Sequence, residues 1–270
     1  TNVGKADNKF TYKLNGGTKL ENYEITTKTG LLEVTPVTDT VTVTITGHKE
    51  TVTYDGVGHT VTGYEVSIDN KLYTVNDFTF NGDGKVSATN ANDNPYPMGL
   101  TKAQFTNMNK DTFPNVEFVV NDGSLTIKKR PVTIKVENNT VTYDGQMHGA
   151  KKDTNGNIVE GTSYTVDGLV KNEEKNIIHS VTNVNIENED YLAGTHTGLL
   201  YVTVSEDTSK NVAIVDQETN EIVTSNYDIN YVAADLIINK CPVTITVANA
   251  EKEYGDADPA FADAEMSGYV

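Results

Sequence analysis

A chain of 270 residues with 38 acidic against 21 basic side chains carries a net charge of −17. That balance excludes the cationic face that nucleic acid and anionic membrane require. A single cysteine, Cys241, excludes an internal disulfide framework, and its expected role is that of a small residue at a junction. Trp is absent and Arg130 is the one arginine, so a binding surface here would lean on the 14 Tyr. The length suits about two domains. No signal peptide, membrane span or sorting tail is visible in the sequence. The chain opens and closes inside repeats, so it reads as a piece of something longer.

Residues 1–36 read as the end of a repeat, passing from Asn22-Tyr23-Glu24-Ile25 through Gly30-Leu31-Leu32-Glu33-Val34 to Pro36. The same ending returns from Asn115 to Pro131 and from Asn226 to Pro242. Each alternates apolar and polar residues, the mark of a half-buried strand, and each closes on a proline, which cannot donate to a following ladder. The first full module is expected over 37–130. It opens with alternating strands at Val41–Thr46 and Lys49–Tyr54, followed by the turn Asp55-Gly56. Tyr64–Ile68 and Leu72–Thr74 flank Asp69-Asn70 as an expected hairpin. Thr101 with Gln104 spells a capping box, and Leu100 with Phe105 a hydrophobic staple, so the spacing predicts a short helix over 101–108.

A second, longer module is expected over 131–241. Thr140–Gly145 repeats the letters TVTYDG of Thr51–Gly56, and in both copies a strand opens eleven residues before the tyrosine, at Val43 and Val132. The extra length falls into two insertions, 151–163 and 205–225. Asn155-Gly156 is expected to tip a type I′ hairpin in the first, and strands about Asp216–Asn220 an added hairpin in the second. Residues 242–270 begin a third copy, in which Val243 again precedes Tyr254 by eleven. So short a piece cannot bury a core alone. The near-absence of linkers between modules predicts a stiff array.

At Val43–Gly56 and Val132–Gly145 the pattern resembles the YDG-type repeats of bacterial surface proteins. Lys252–Phe261 with Ser267-Gly268-Tyr269-Val270 is similar to the related MBG (YGX-type) repeat. The resemblance implies an extracellular, Ig-like β-module used as stalk or adhesive repeat at the bacterial cell surface or wall. It carries no catalytic residues, and the two insertions depart from it.

Candidate chemistry is sparse. In Tyr54-Asp55-Gly56 and Tyr143-Asp144-Gly145 the expected roles are a packed tyrosine, a turn-capping aspartate and a left-handed glycine. His59 and His148 recur five residues after each tyrosine, but no second metal ligand recurs with them. Asp153-Thr154-Asn155-Gly156-Asn157 superficially resembles a calcium loop, with glycine in the fourth rather than the sixth place. Weak Ca²⁺ at module junctions, through clusters such as Glu187–Asp190 or Asp256–Asp258, is the sole cofactor considered. Lys135 is the natural lysine for an isopeptide crosslink, but Thr46 and Thr246 hold its place in the other copies. No nucleophile, zinc or phosphate-loop motif is present, so no enzyme activity is expected.

The expectation is therefore an all-β chain of tandem Ig-like sandwich modules with one short helix, or, alternatively, β-grasp-like modules. Its function would be that of a non-catalytic stalk or adhesin region whose partners are neighbouring repeats. The alternative is a receptor for a host protein such as immunoglobulin or mucin, or for a glycan. That receptor would use the insertions, through Asn155, Asn157 and Val159 and through Val215, Gln217, Glu218 and Asn220. An accessory module of a carbohydrate-active enzyme is the weaker third reading. Neither nucleic acid nor membrane insertion is expected.

Overall fold

The computed structural model describes residues 2–260 and 262–270. Among them the regular elements are short β-strands and single 3₁₀ turns, gathered into several small sheets, and no α-helix is present. The chain forms two compact units. The first comprises Thr1–Val52, Gly58–Ala88 and Asp93–Thr126. The second comprises Thr53–Val57, Thr89–Asn92 and Ile127–Val270.

In the first unit, Val41–Gly47 lies between two partners. Val116–Asn121 runs parallel to it and Tyr64–Ile68 antiparallel. Val41, Val43 and Ile45 are fully buried, while the threonines between them are not. That is the two-residue period of a strand with one face in the core, each such side chain contributing about 1.5–3 kcal/mol. Phe78, Phe80, Phe105 and Phe118 pack beside these strands with ring centroids 4.9 to 6.1 Å apart. The end of Val41–Gly47 and the link between Val116–Asn121 and Ser124–Lys128 come together at two glycines. A Cβ on Gly47 would stand 2.3 Å from the Gly123 nitrogen, and one on Gly123 would stand 2.5 Å from the His48 oxygen. Only glycine permits that approach. Beyond it the chain resumes as Lys49–Thr53 beside Ser124–Lys128.

The second unit uses the same strand order. Arg130–Val136 lies between Tyr227–Val232, parallel, and Tyr164–Asp167, antiparallel. After a break, Asn139–Thr142 runs parallel to Ala234–Asn239. The break is held by the Asn138 side chain, which accepts the Asp235 N–H at 2.9 Å. Val132, Ile134, Val136, Leu200, Ile214, Leu236 and Ile238 form an aliphatic core. A third sheet joins Ile177–Thr182 to Ala213–Asp216 and Lys171–Asn172.

Three local expectations are corrected. The stretch 101–108 is a single 3₁₀ turn, Lys102–Gln104, followed by the strand Phe105–Asn107 paired with Phe78–Phe80. The capping chemistry is present, since Gln104 Oε1 accepts the Thr101 N–H at 2.8 Å. Eight residues are too few for a helix to hold itself, and Phe105 gains more in the aromatic cluster. Leu72–Thr74 is not a strand, because Asn70 Oδ1 takes the Leu72 N–H into a tight turn. Nor is Asn155-Gly156 a type I′ hairpin tip. Gly156 has φ +82° but Asn155 does not share a positive φ, and no strand forms between Thr142 and Tyr164.

Candidate functional site

The two Tyr-Asp-Gly turns are built alike. Asp55 Oδ1 accepts the Val57 N–H at 3.1 Å and Asp144 Oδ1 the Gln146 N–H at 2.9 Å. Gly56 and Gly145 both take φ +78°. Each tyrosine N–H closes a strand pair, Tyr54 on Lys128 O and Tyr143 on Asn239 O. Their surroundings differ. Tyr54 is 3% exposed, whereas Tyr143 is half-buried.

Tyr54 is sealed within the second unit by a cluster that no sequence pattern assembles. Its ring stacks on His179 at 6.0 Å and meets Tyr227 edge-on at 5.4 Å. The Tyr227 hydroxyl oxygen accepts the Val170 N–H at 3.3 Å, and the same hydroxyl is hydrogen-bonded with His179 Nδ1. With Nδ1 accepting, the proton of the neutral imidazole sits on Nε2. Nε2 faces Asp216 Oδ2 at 3.6 Å, beyond hydrogen-bond length, and is otherwise unpartnered. Burial pushes the His179 pKa down against the opposing pull of Asp216, so the ring is neutral near pH 7. Burial also raises the phenols of Tyr54 and Tyr227. Asn226, 2% exposed, donates to Asn90 Oδ1 and accepts the Ala91 N–H at 2.7 Å, fixing the segment 89–92 in the same unit. Such a cluster is a packed polar joint. Tyr54 and Asn226 stand out in the sequence as repeat landmarks, but His179 carries no recurring signal there.

The insertion residues fall on two separate features. Asn155 and Asn157 are exposed on a turn headed by Asp153, whose Oδ1 accepts both their N–H groups at 2.9 and 2.8 Å. Those bonds hold the Asp153 carboxyl below its ordinary pKa. Val159 is half-buried and its N–H donates to Ser163 Oγ. Val215 is half-buried in the strand paired with Ile177–Thr182, while Gln217, Glu218 and Asn220 are exposed at the tip beyond it. Asp216 Oδ1 organises that tip through the N–H groups of Glu218 and Thr219 at 2.8 and 3.1 Å. Burial raises the Asp216 pKa, but these bonds outweigh it and lower the value. Ile222, 73% exposed, borders a groove of about 440 Å³ with Thr208, Ser209, Val212 and Thr224. No hydrogen bond or ion pair joins the two insertions among the described residues.

His148 Nε2 lies 2.8 Å from Asp144 Oδ1, inside its own turn, and His59 sits in a strand paired with Lys85–Ala88. Lys135 is exposed. Among the described residues no three His, Cys, Asp or Glu side chains converge on a position that could hold a metal.

Comparison with family models, curated proteins and solved structures finds no match for this chain.

Proposed function

We propose that the chain is a non-catalytic repeat region of a bacterial surface protein, serving as a stalk or adhesin module in the extracellular space. One observation carries this reading. Val41–Gly47 and Arg130–Val136 each lie between an antiparallel and a parallel neighbour, and the strand after each, Lys49–Thr53 or Asn139–Thr142, runs into a Tyr-Asp-Gly turn of the same geometry. A chain that spends its internal polar groups on turns and joints fits mechanical service better than chemistry. Of the two module folds expected, the strand order lies nearer the β-grasp-like one, without the helix that a β-grasp carries across its sheet. An Ig-type sandwich places its first strand at a sheet edge, and here that strand is central.

The receptor reading draws support from Ile222 alone, since the hairpin tip is otherwise polar and no tyrosine lies on it. Deleting Asn211–Ser225 would remove Val212 and Ile214, which are 7% and 0% exposed, so surface substitutions are the cleaner probe. The purified chain is expected to show no saturable binding to immobilised immunoglobulin or mucin. Displayed between a wall anchor and a binding head, it should support the head's adhesion equally with or without Ile222→Asp and Glu218→Ala. Saturable binding by the isolated chain that Ile222→Asp abolishes would overturn the stalk assignment in favour of a receptor.

A further inference from the structure

The turn at Tyr54 has a counterpart at Tyr143, and the Gly-x-Val turn that touches the first has a match at the second. A Cβ on Gly56 would stand 3.4 Å from Val170 Cγ1, and one on Gly145 would stand 3.2 Å from Val270 Cγ1. Both valines end a Gly-x-Val turn, Gly168-Leu169-Val170 and Gly268-Tyr269-Val270. Each of these glycines has a positive φ, +96° and +86°, and each is pressed onto a proline carbonyl. A Cβ would lie 2.4 Å from Pro131 O in the first and 2.6 Å from Pro242 O in the second. The residue before each proline also bonds to the turn. Arg130 Nε donates to Gly168 O at 2.6 Å and Cys241 Sγ to Gly268 O at 3.0 Å. The strand pairing agrees, with Thr133 opposite Asp167 and Thr244 opposite Ser267.

The cover differs. At the first turn, Ile177 approaches the Gly56 Cβ position to 2.9 Å and His179 stacks on Tyr54, both from the strand Ile177–Thr182. Val170 is thereby reduced to 4% exposure. Beside Tyr143 lies instead a groove of about 380 Å³ lined by Ala193, Lys240, Cys241, Val243, Tyr269 and Val270. Its walls are mainly apolar, and on the first turn the same surface is closed by an apolar strand carrying one imidazole.

We propose that the groove beside Tyr143 is the docking site of a β-strand with the character of Ile177-Ile178-His179, supplied by a further repeat of this kind. The proposal rests on the repeat reading above. It predicts that a Tyr-Asp-Gly turn is completed only by the repeat after it, so that each repeat stabilises its predecessor.

The test grafts a second copy of residues 171–241 onto the full chain directly after Val270 and monitors nitration of Tyr143 by tetranitromethane with peptide mass mapping. Tyr54 serves as the protected reference. Tyr143 nitration should fall about tenfold or more, as expected for a site that reacts only on local opening. Ile177→Asp placed in the grafted copy should restore it. In a second arm, a peptide of residues 171–182 added to the ungrafted chain should slow the same nitration saturably. Unchanged Tyr143 reactivity in a graft whose own copy of Tyr227 is protected overturns the docking proposal and leaves the repeat reading standing. A graft whose Tyr227 copy nitrates freely, with no protection from the peptide, overturns both. Protection that grows with the concentration of the ungrafted chain overturns the proposal in favour of a second copy as occupant.

Discussion

Replacing each of the two like-built tyrosines by alanine separates sequence from surroundings. Tyr54→Ala removes a ring that is 3% exposed and lies against His179 and Tyr227 at 6.0 and 5.4 Å. A buried aromatic cut to alanine loses transfer energy and leaves a cavity, together about 3–5 kcal/mol. Two ring contacts of this geometry add about 0.5–1.5 kcal/mol each, part of which is already counted in that range. The expected loss is therefore about 4 kcal/mol from the stability of the second unit. Tyr143→Ala acts on a half-buried ring without such partners, so about 1 kcal/mol is expected, the centre of the range for ordinary substitutions. Urea unfolding read by far-UV circular dichroism gives both values, with the midpoint shift of the second unit's transition as the measure. Equal effects from the two substitutions, or a Tyr54→Ala loss confined to the first unit's transition, would refute the reasoning.

Other substitutions probe the remaining joints. Gly168→Ala combines φ +96° with a Cβ 2.4 Å from Pro131 O, whereas Gly161→Ala has φ +81° and open space. The second should cost about 1–2 kcal/mol of backbone strain and the first clearly more, read as a difference in Tm. Asn226→Ala leaves the part-buried Ala91 N–H without its acceptor, an expected loss of about 1 kcal/mol by denaturant titration. For His179 the folded value lies below the ordinary one because of burial, so the unfolded chain takes up a proton that the folded chain refuses. Its stabilising contribution is complete above about pH 6.5 and is lost as pH falls below it, at up to about 1.4 kcal/mol per pH unit. In His179→Gln that part of the pH slope should vanish, while carboxylate effects at lower pH persist.

Much of the strand skeleton is legible in the sequence because a strand with one buried face writes its period into Val41-Thr42-Val43-Thr44-Ile45 and Val132-Thr133-Ile134. Local turn chemistry is legible too, as in the Asp55 and Asp144 caps and the left-handed Gly56 and Gly145. The absent helix shows the limit of local signals. Thr101 and Gln104 make their capping bond, yet tertiary packing draws Phe105 into a strand one residue later. The Tyr54 cluster is illegible for a different reason. It joins residues 54, 179, 216 and 227, which no local pattern associates, and its hydrogen bonds depend on which strands lie side by side. The separation of the insertions is equally a tertiary fact, since Asp153 and Asp216 each close an independent turn.

The central claim is that the first Tyr-Asp-Gly turn folds as part of the unit after it in sequence. Native-state hydrogen exchange tests this directly, because the Tyr54 amide donates to Lys128 O and Asn226 holds the Ala91 amide. When the second unit is selectively weakened by Ile214→Ala, protection of the Tyr54 and Ala91 amides should fall in step with that of Leu236, while Val43 and Ile45 keep theirs. Tyr54 and Ala91 exchanging instead with Val43 and Ile45, unmoved by Ile214→Ala, would contradict it.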